Sequence, residues 1–330
     1  MTRGAFSCIA ICTAAVFLAA PMAAQDNTRN PQDPPAHTQP WPGLGGGENP
    51  QQIAASIELG PELERGVSVR ELLRQQARLD AALASLKPQR RGTIDAYVLS
   101  VALDSDPVFA REAREAGKVL ARRYGAEGRS LTLAGPDGRQ DDLPRGSLRA
   151  LKLALAHVAG LMDSSEDVLV LYTTSHGLPQ GLAYHYGDTG YGILSPRRLR
   201  SVLTELGVER RILIISACYS GIFVPELSST DTAILTASAH NRTSFGCAAE
   251  NDWTFYGDAL INNALRKPQS LEKASAEASL AIAGWEASAL VPASLPQTSI
   301  GANVARWIAA LDARMPQSAT KPVGRPSTGQ

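Results

Sequence analysis

The 330-residue sequence lacks an excess of charge of either sign, because 32 Lys and Arg residues balance 32 Asp and Glu residues. A neutral chain has no charge feature that would attract nucleic acid or an anionic membrane surface. The hydrophobic fraction of 44% and the charged fraction of 19% are typical of a globular protein with a sizeable core. We therefore expect no nucleic-acid partner.

The sequence also lacks, at its N-terminus, an apolar run as long as the ~20 residues that cross a bilayer. The apolar stretch from Ala5 to Ala20 follows Arg3, ends at Pro21 and is followed by small residues. This layout is typical of a secretory signal peptide, and a membrane anchor is the alternative. We predict that residues 1–24 are a cleaved signal peptide. The protein would then be periplasmic or secreted, with no stable membrane insertion after cleavage.

Cysteine is scarce, and two of the four cysteines, Cys8 and Cys12, lie inside the predicted signal peptide. The exported chain would keep only Cys218 and Cys247. An exported protein can join two cysteines in one disulfide, or hold one reactive thiol and one buried thiol. Composition alone leaves both possibilities open.

Composition divides the rest of the chain into four parts. Residues 25–66 are rich in Pro, Gly, Asn and Gln near their start, and we predict a disordered linker. Residues 67–92 carry apolar side chains at helical spacing before Pro88, which predicts a leading helix and a connection. Residues 93–311 form the main domain, and the tail at residues 312–330 is predicted to be disordered.

The main domain alternates between apolar strands and amphipathic helices. The predicted strands are residues 94–103, 129–133, 168–172 and 212–215, with another beginning at 233–235, and the predicted helices are residues 106–124, 147–161, 195–206, 254–266 and 270–287. Continuous apolar strands between helices are typical of a mostly parallel sheet that is covered on both faces. The pattern predicts one α/β domain.

A histidine and a cysteine follow two of these strands. His176 and Gly177 follow the strand at 168–172, and Cys218 follows the strand at 212–215. Both should emerge at the carboxyl edge of the sheet, where a thiol with a basic partner can act as a nucleophile. The backbone N–H groups of Gly177 and Cys218 could bind the developing oxyanion. The structural alternative is a buried cysteine and a hydrogen-bonded histidine.

These motifs resemble those of a known family. Two segments look like the catalytic motifs of caspase-fold cysteine peptidases. They are a strand followed by Ser175-His176-Gly177 and a strand followed by Ser216-Ala217-Cys218-Tyr219-Ser220-Gly221. The match is best to the legumain family and its bacterial members. The segments 235–238, 242–247 and 251–257 are similar to the region that follows the nucleophile strand in that family, and the likeness covers residues 94–311.

The resemblance implies a caspase-like three-layer sandwich and peptide hydrolysis without a metal or cofactor. The substrate would be a protein or peptide. Cys218 would be the nucleophile that forms a thioester acyl-enzyme, and His176 the acid/base or carbonyl-polarising partner. The oxyanion donors would be the backbone N–H groups of Gly177 and Cys218. Peptide ligation by the same acyl-enzyme and a catalytically silent binding or scaffold protein are the alternatives.

The resemblance also places four residues at the substrate-binding pocket: Asp104, Ser216, Ser238 and Asp252. Legumain-type enzymes prefer Asn through an acidic residue two before the cysteine and a basic residue on the first strand. This chain has Ser216 and Asp104 at those places, so a preference for Asn or for a basic side chain stays open. Asp104 could instead be a carboxylate at the start of the following helix.

Two remaining residues have weaker interpretations. His185 lies in a predicted hairpin at residues 181–192, where we expect a surface role. A zinc site formed by His176, His185 and Cys218 matches no standard ligand spacing. We expect Cys247 to be a small buried residue. A disulfide between Cys218 and Cys247 would block the nucleophile, so we expect the two thiols to be apart or only reversibly joined.

Overall fold

The structure is a computed structural model that describes residues 32–34, 36–38, 47–58 and 62–327. The predicted signal peptide, with Cys8 and Cys12, lies outside the described residues, as does part of the predicted linker. Within those described ranges, no helix is both long enough and apolar enough to cross a bilayer.

Strands and helices alternate along the chain as the sequence predicts. The strands are β1 (Glu62–Glu64), β2 (Ala96–Ala102), β3 (Ser130–Leu133), β4 (Val168–Thr174), β5 (Gly177–Leu178), β6 (Gly181–Tyr186), β7 (Gly190–Leu194), β8 (Arg211–Ser216), β9 (Thr232–Thr236) and β10 (Gln297–Ile300). The helices are α1 (Pro50–Glu58), α2 (Val69–Ala84), α3 (Pro107–Tyr124), α4 (Leu148–Leu161), α5 (Pro196–Glu205), α6 (Phe223–Leu227), α7 (Leu271–Ser288) and α8 (Val304–Asp312).

The central sheet has six strands in the order β10-β9-β8-β4-β2-β3. Its strands are parallel except β10, which pairs antiparallel with β9. A smaller antiparallel sheet, in the order β1-β7-β6-β5, lies beyond the carboxyl end of β4. The predicted α/β fold with a mostly parallel sheet is confirmed.

Apolar side chains cover both faces of the central sheet. Tyr97, Leu99 and Val101 of β2 pack on one face with α2, α4, α5 and α6. Ala96 and Val98 pack on the other face with α3, α7 and α8. This alternation follows from the two-residue period of a strand and gives the predicted three-layer sandwich.

Serine side chains cap four of the helices. Ser68, Ser147, Ser195 and Ser270 each accept a hydrogen bond from a backbone N–H in the first turn, which is worth about 1 kcal/mol per cap. Asp106 stands at the same place before α3, but its side chain makes no capping hydrogen bond. Its carboxylate has another partner, described below.

The segment predicted as a disordered linker differs from the structure. Helix α1 lies within it, and β1 pairs antiparallel with β7 through Glu62, Leu63 and Glu64. Closer to the N-terminus, the backbone N–H of Thr38 donates to Asp188 Oδ1 at 2.9 Å. These contacts are backbone pairings and polar bonds, so composition did not reveal them.

The C-terminal tail was also predicted to be disordered, and residues 316–327 instead lie against the domain. Val323 O accepts a hydrogen bond from Trp253 Nε1 at 2.8 Å. The backbone N–H of Ser327 donates to Asp258 Oδ2 at 2.7 Å. The tail is ordered because it supplies partners to polar groups buried on the domain.

The predicted helix at residues 254–266 is irregular in the structure. Residues Gly257–Asn263 form a π-helix and Ala264–Arg266 a 3₁₀ turn. Gly257 lies so close to Glu112 that a Cβ there would meet its Oε2 at 2.1 Å. Glu112 is fully buried, and its carboxylate accepts from the backbone N–H of Thr254 at 2.8 Å.

Candidate active site

Strand register brings the predicted histidine and cysteine to one edge of the sheet. Thr174, at the end of β4, pairs with Ala102 on β2 and with Ser216 on β8. His176 and Cys218 each lie two residues beyond these paired positions. Because β4 and β8 are parallel neighbours, the two residues emerge side by side although they are far apart in sequence.

Gly177 contacts the backbone of Cys218. A Cβ on Gly177 would lie 1.8 Å from Cys218 O and 2.9 Å from Cys218 N. Only glycine permits an approach this close. The contact joins the segment that carries His176 to the residue predicted to be the nucleophile.

The Cys218 thiol is half-buried and is held by the loop after β9. The backbone N–H of Ser244 donates to Cys218 Sγ at 3.2 Å, and Ser244 O lies 3.5 Å from the same sulfur. Tyr219 has a left-handed φ of 57°, and its N–H donates to Arg242 O at 2.7 Å. The turn after β8 therefore holds the thiol at the edge of the sheet.

The imidazole of His176 is held by Asp106. His176 Nε2 lies 3.2 Å from Asp106 Oδ2, and the ring packs edge-on against Phe109, with centroids 5.0 Å apart. Burial opposes protonation of His176, but its hydrogen bonds to Asp106 and Cys247 and the charge of Asp104 raise its pKa to about 10. The hydrogen bond from His176 lowers the pKa of Asp106. An imidazolium that can donate a proton therefore lies at the edge of the sheet from which Cys218 emerges.

The second thiol, Cys247, lies beside His176. It is half-buried and packs against a small apolar cluster that includes Phe109, which agrees in part with the expected buried role. Cys218 and Cys247 are both free thiols. No disulfide therefore blocks the predicted nucleophile.

Three of the predicted pocket residues are buried, with partners inside the protein. Ser216 Oγ lies 3.1 Å from Thr254 Oγ1. Ser238 Oγ accepts from the backbone N–H of Ser220 at 3.2 Å. The carboxylate of Asp252 is bound by Arg139 at 2.7 Å. The structure does not bring these three side chains to an open surface beside Cys218.

The fourth predicted pocket residue, Asp104, is 2% exposed. His37 Nε2 lies 3.4 Å from its Oδ1, and His185 Nδ1 lies 3.9 Å from its Oδ2. Burial raises the pKa of Asp104 to about 6, although the charges of His176 and His37 oppose the shift. Two imidazoles therefore cover the carboxylate that the resemblance places at the substrate pocket. Its Oδ1 accepts from the backbone N–H of Asp106 at 2.9 Å, at the start of the following helix.

His185 also differs from its predicted surface role, because it is 8% exposed. Its ring stacks on His37, with centroids 3.4 Å apart, and on Tyr191 at 5.1 Å. Burial and the nearby charge of His37 lower the pKa of His185 to about 4. The hairpin β6–β7 folds back over the sheet edge, so this side of the hairpin is covered.

Two residues at this edge of the central sheet, His37 and Asp106, were not identified as site residues from the sequence. His37 lies in a segment whose composition predicted a linker, and no pattern distinguishes it. Asp106 is the first residue of the predicted helix at residues 106–124, and this position allows its carboxylate to reach His176.

Part of the chain matches the model of a known protein family. Residues 149–304, slightly less than half of the chain, match the model of the Peptidase C13 family, the legumain family. No match was found among curated proteins. A crystal structure of Caspase-1 from Spodoptera frugiperda is similar at 14% identity and a TM-score of 0.42, covering 65% of this chain and 88% of that chain. The matched range contains both His176 and Cys218, and the family match supports a legumain-like, caspase-fold cysteine peptidase.

Proposed function

We propose that this chain is a cysteine endopeptidase that cleaves peptide bonds through Cys218, with His176 as its catalytic partner. The observation that carries the proposal is the shared strand register, which brings His176 and Cys218 to one edge, with Gly177 packed against the Cys218 backbone. The Peptidase C13 match over the same residues supports the reaction class.

In the acylation step, the Cys218 thiolate attacks the carbonyl carbon of the substrate peptide. The backbone N–H groups of Gly177 and Cys218 stabilise the negative oxygen of the tetrahedral intermediate. The His176 imidazolium donates its proton to the leaving amine as the C–N bond breaks. The products of this step are a free amine, a neutral imidazole and a thioester on Cys218.

In the deacylation step, neutral His176 removes a proton from water, which attacks the thioester carbonyl. The C–S bond breaks, the carboxylic acid product leaves, and the Cys218 thiolate and His176 imidazolium are restored. Asp106 stabilises this imidazolium through the 3.2 Å contact between its Oδ2 and His176 Nε2. An amine in place of water would give peptide ligation by the same thioester.

The test combines covalent labelling with substitution of the thiol. A thiol-directed peptidyl inhibitor should label Cys218, and Cys218→Ala should abolish turnover of a peptide library without loss of the fold. Cys247→Ala is the matched control, because it removes the other free thiol among the residues that the structure describes and should leave the label on Cys218. Turnover by Cys218→Ala at the parent rate would end the proposal.

The competing scaffold function makes a different prediction. A silent protein would have no activated thiol, so iodoacetamide at mildly acidic pH would label Cys218 no faster than Cys247. Rapid, selective labelling of Cys218 favours catalysis. Product analysis with an added amine separates hydrolysis from ligation, and library cleavage defines the preferred residue.

We further propose that the peptidase acts after export. The proposal depends on the charged, apolar and small-residue layout of residues 1–24. N-terminal sequencing of the protein recovered from the producing cell should begin at about Gln25. A chain that keeps Met1 in the cytoplasm would contradict it.

A further inference from the structure

Asp104, His185 and His37 form a side-chain cluster that the proposed peptidase chemistry does not use. Ligand-type atoms of these three residues all lie within 4.8 Å of one another. They come from three separate parts of the chain: the N-terminal segment, the end of β2 and the hairpin strand β6. Asp104 and His185 are buried, and the His37 side chain is 21% exposed.

The Asp104 carboxylate is the feature of this cluster that points to a ligand. Its Oδ1 accepts from the backbone N–H of Asp106 at 2.9 Å. Its Oδ2 accepts no hydrogen bond from any residue that the structure describes. Within the same described residues, its ion-pair partners are the imidazoles of His37 and His185. A buried carboxylate oxygen that accepts no hydrogen bond destabilises the folded protein, and a bound cation is one physical explanation for it.

Two distances in the cluster can be compared with those of a tetrahedral metal site, and both are longer. Zinc bonds of ~2.0–2.1 Å place neighbouring ligand atoms about 3.3 Å apart. The observed separations are 3.4 Å from His37 Nε2 to Asp104 Oδ1 and 3.9 Å from His185 Nδ1 to Asp104 Oδ2. The two distances end on different oxygens of Asp104, so the stacked rings would have to rotate to direct their lone pairs at one ion. His37 Nε2 would then give up its 3.0 Å contact with Ser105 Oγ.

We propose that His37, Asp104 and His185 bind one divalent transition-metal ion of the zinc type. Two imidazoles and one carboxylate favour Zn²⁺, Co²⁺, Ni²⁺ or Cu²⁺ over Mg²⁺ and Ca²⁺, which take mainly oxygen ligands. The bound ion would tie the segment at residues 36–38 to the edge of the sheet. The same segment is already held there by the bond from Thr38 to Asp188.

A second cluster shares Asp104 and must be distinguished from the proposed site. Ligand-type atoms of Asp104, Asp106 and His176 also lie within 4.8 Å of one another. A metal held there would occupy the histidine of the proposed active site. The two sites differ in their dependence on His37 and His176, so substitution separates them.

The experiment measures Zn²⁺ binding to the exported chain carrying Cys218→Ala, which removes the thiol of the proposed nucleophile. The metal-free protein is titrated with ZnCl₂ in competition with a chromophoric chelator. Loss of an outer-sphere partner of a metal ligand costs ~10–100-fold in affinity, so His37→Ala and His185→Ala should each cost more than about 100-fold. His240→Ala is the matched control, because His240 is exposed and outside the cluster.

The outcomes separate the possibilities. One Zn²⁺ per chain, lost with His37→Ala and kept with His240→Ala, supports the site. His37 lies outside the core, so circular dichroism should show its variant folded. Unchanged affinity in His37→Ala overturns the proposal, as does binding that His176→Ala abolishes. In the unsubstituted chain, Co²⁺ should show visible absorption bands without a sulfur-to-cobalt band, and a sulfur band would place the metal on a thiol instead.

Discussion

Gly177→Ala is the substitution that tests the proposed active-site geometry most directly. An alanine Cβ would lie 1.8 Å from Cys218 O, whereas real Cβ contacts essentially never fall below 3.0 Å. The obstacle is backbone, not a flexible side chain, so the two segments must separate by about 1.2 Å. That separation moves both the Gly177 N–H and the neighbouring His176 away from Cys218.

The expected loss of activity follows from this displacement. A misplacement of ~1 Å at a reacting site can cost about 10²-fold in rate. Removal of one oxyanion donor costs about 10²–10³-fold in kcat. We therefore expect kcat/KM of Gly177→Ala to fall about 10²–10³-fold on a cleavable peptide. Overpacking should lower the free energy of unfolding by only ~1–3 kcal/mol, which leaves a typical domain folded at 25 °C.

The assay pairs steady-state kinetics with urea unfolding of the same preparations. Gly160→Ala is the matched control, because an added Cβ there meets no atom within 4 Å and Gly160 lies on α4. That variant should gain roughly 0.5–1 kcal/mol in unfolding free energy and keep its activity. A folded Gly177→Ala protein with the parent kcat/KM would refute the reasoning.

Three further substitutions test other contacts. Asp106→Ala removes the charged hydrogen bond to His176, worth ~1.5–3 kcal/mol, so kcat/KM should fall about 10–100-fold. An Asp106→Ala protein with the parent kcat/KM would contradict a role for Asp106 in holding His176. Tyr172→Phe removes the hydroxyl that donates to buried Glu112 and should cost ~1–3 kcal/mol in urea unfolding. No change would mean that the carboxylate has found another donor. Trp253→Phe removes the hydrogen bond to Val323 O in the C-terminal tail, worth ~1 kcal/mol, so proteinase K should cut residues 316–327 faster, as measured by intact mass. An unchanged rate would contradict the anchoring.

The central sheet could be predicted from the sequence because its strands are continuously apolar. Each residue of β8 (Arg211–Ser216) is buried, so the pattern that marks the strand is the pattern that the fold requires. Strand β10 escaped prediction because its residues, Gln297–Ile300, are half-buried or exposed. It lies at the edge of the sheet, where a polar strand can pair through its backbone alone.

Part of the candidate site could also be predicted, because strand ends are visible in the sequence. His176 and Cys218 follow recognisable strands, and their position depends only on register. The burial of Asp104 and His185 could not be predicted, because it depends on a hairpin and a distant segment that fold over the same edge. His37 lies 67 positions before Asp104 in the sequence, and a polar contact over that separation has no local pattern.

The order of the strands explains why the two contacts of the His176 segment are on opposite sides. Strand β4 lies between β2 and β8. Asp106 follows β2 and holds the His176 imidazole from one side, while Cys218 follows β8 and contacts Gly177 from the other. Because both contacts depend on the register of one strand, a slip of β4 by a single residue would lose the pair with Asp106 and the approach to Cys218 together. The thiol and the imidazole are therefore positioned by the core of the sheet, and only their surroundings depend on the loops.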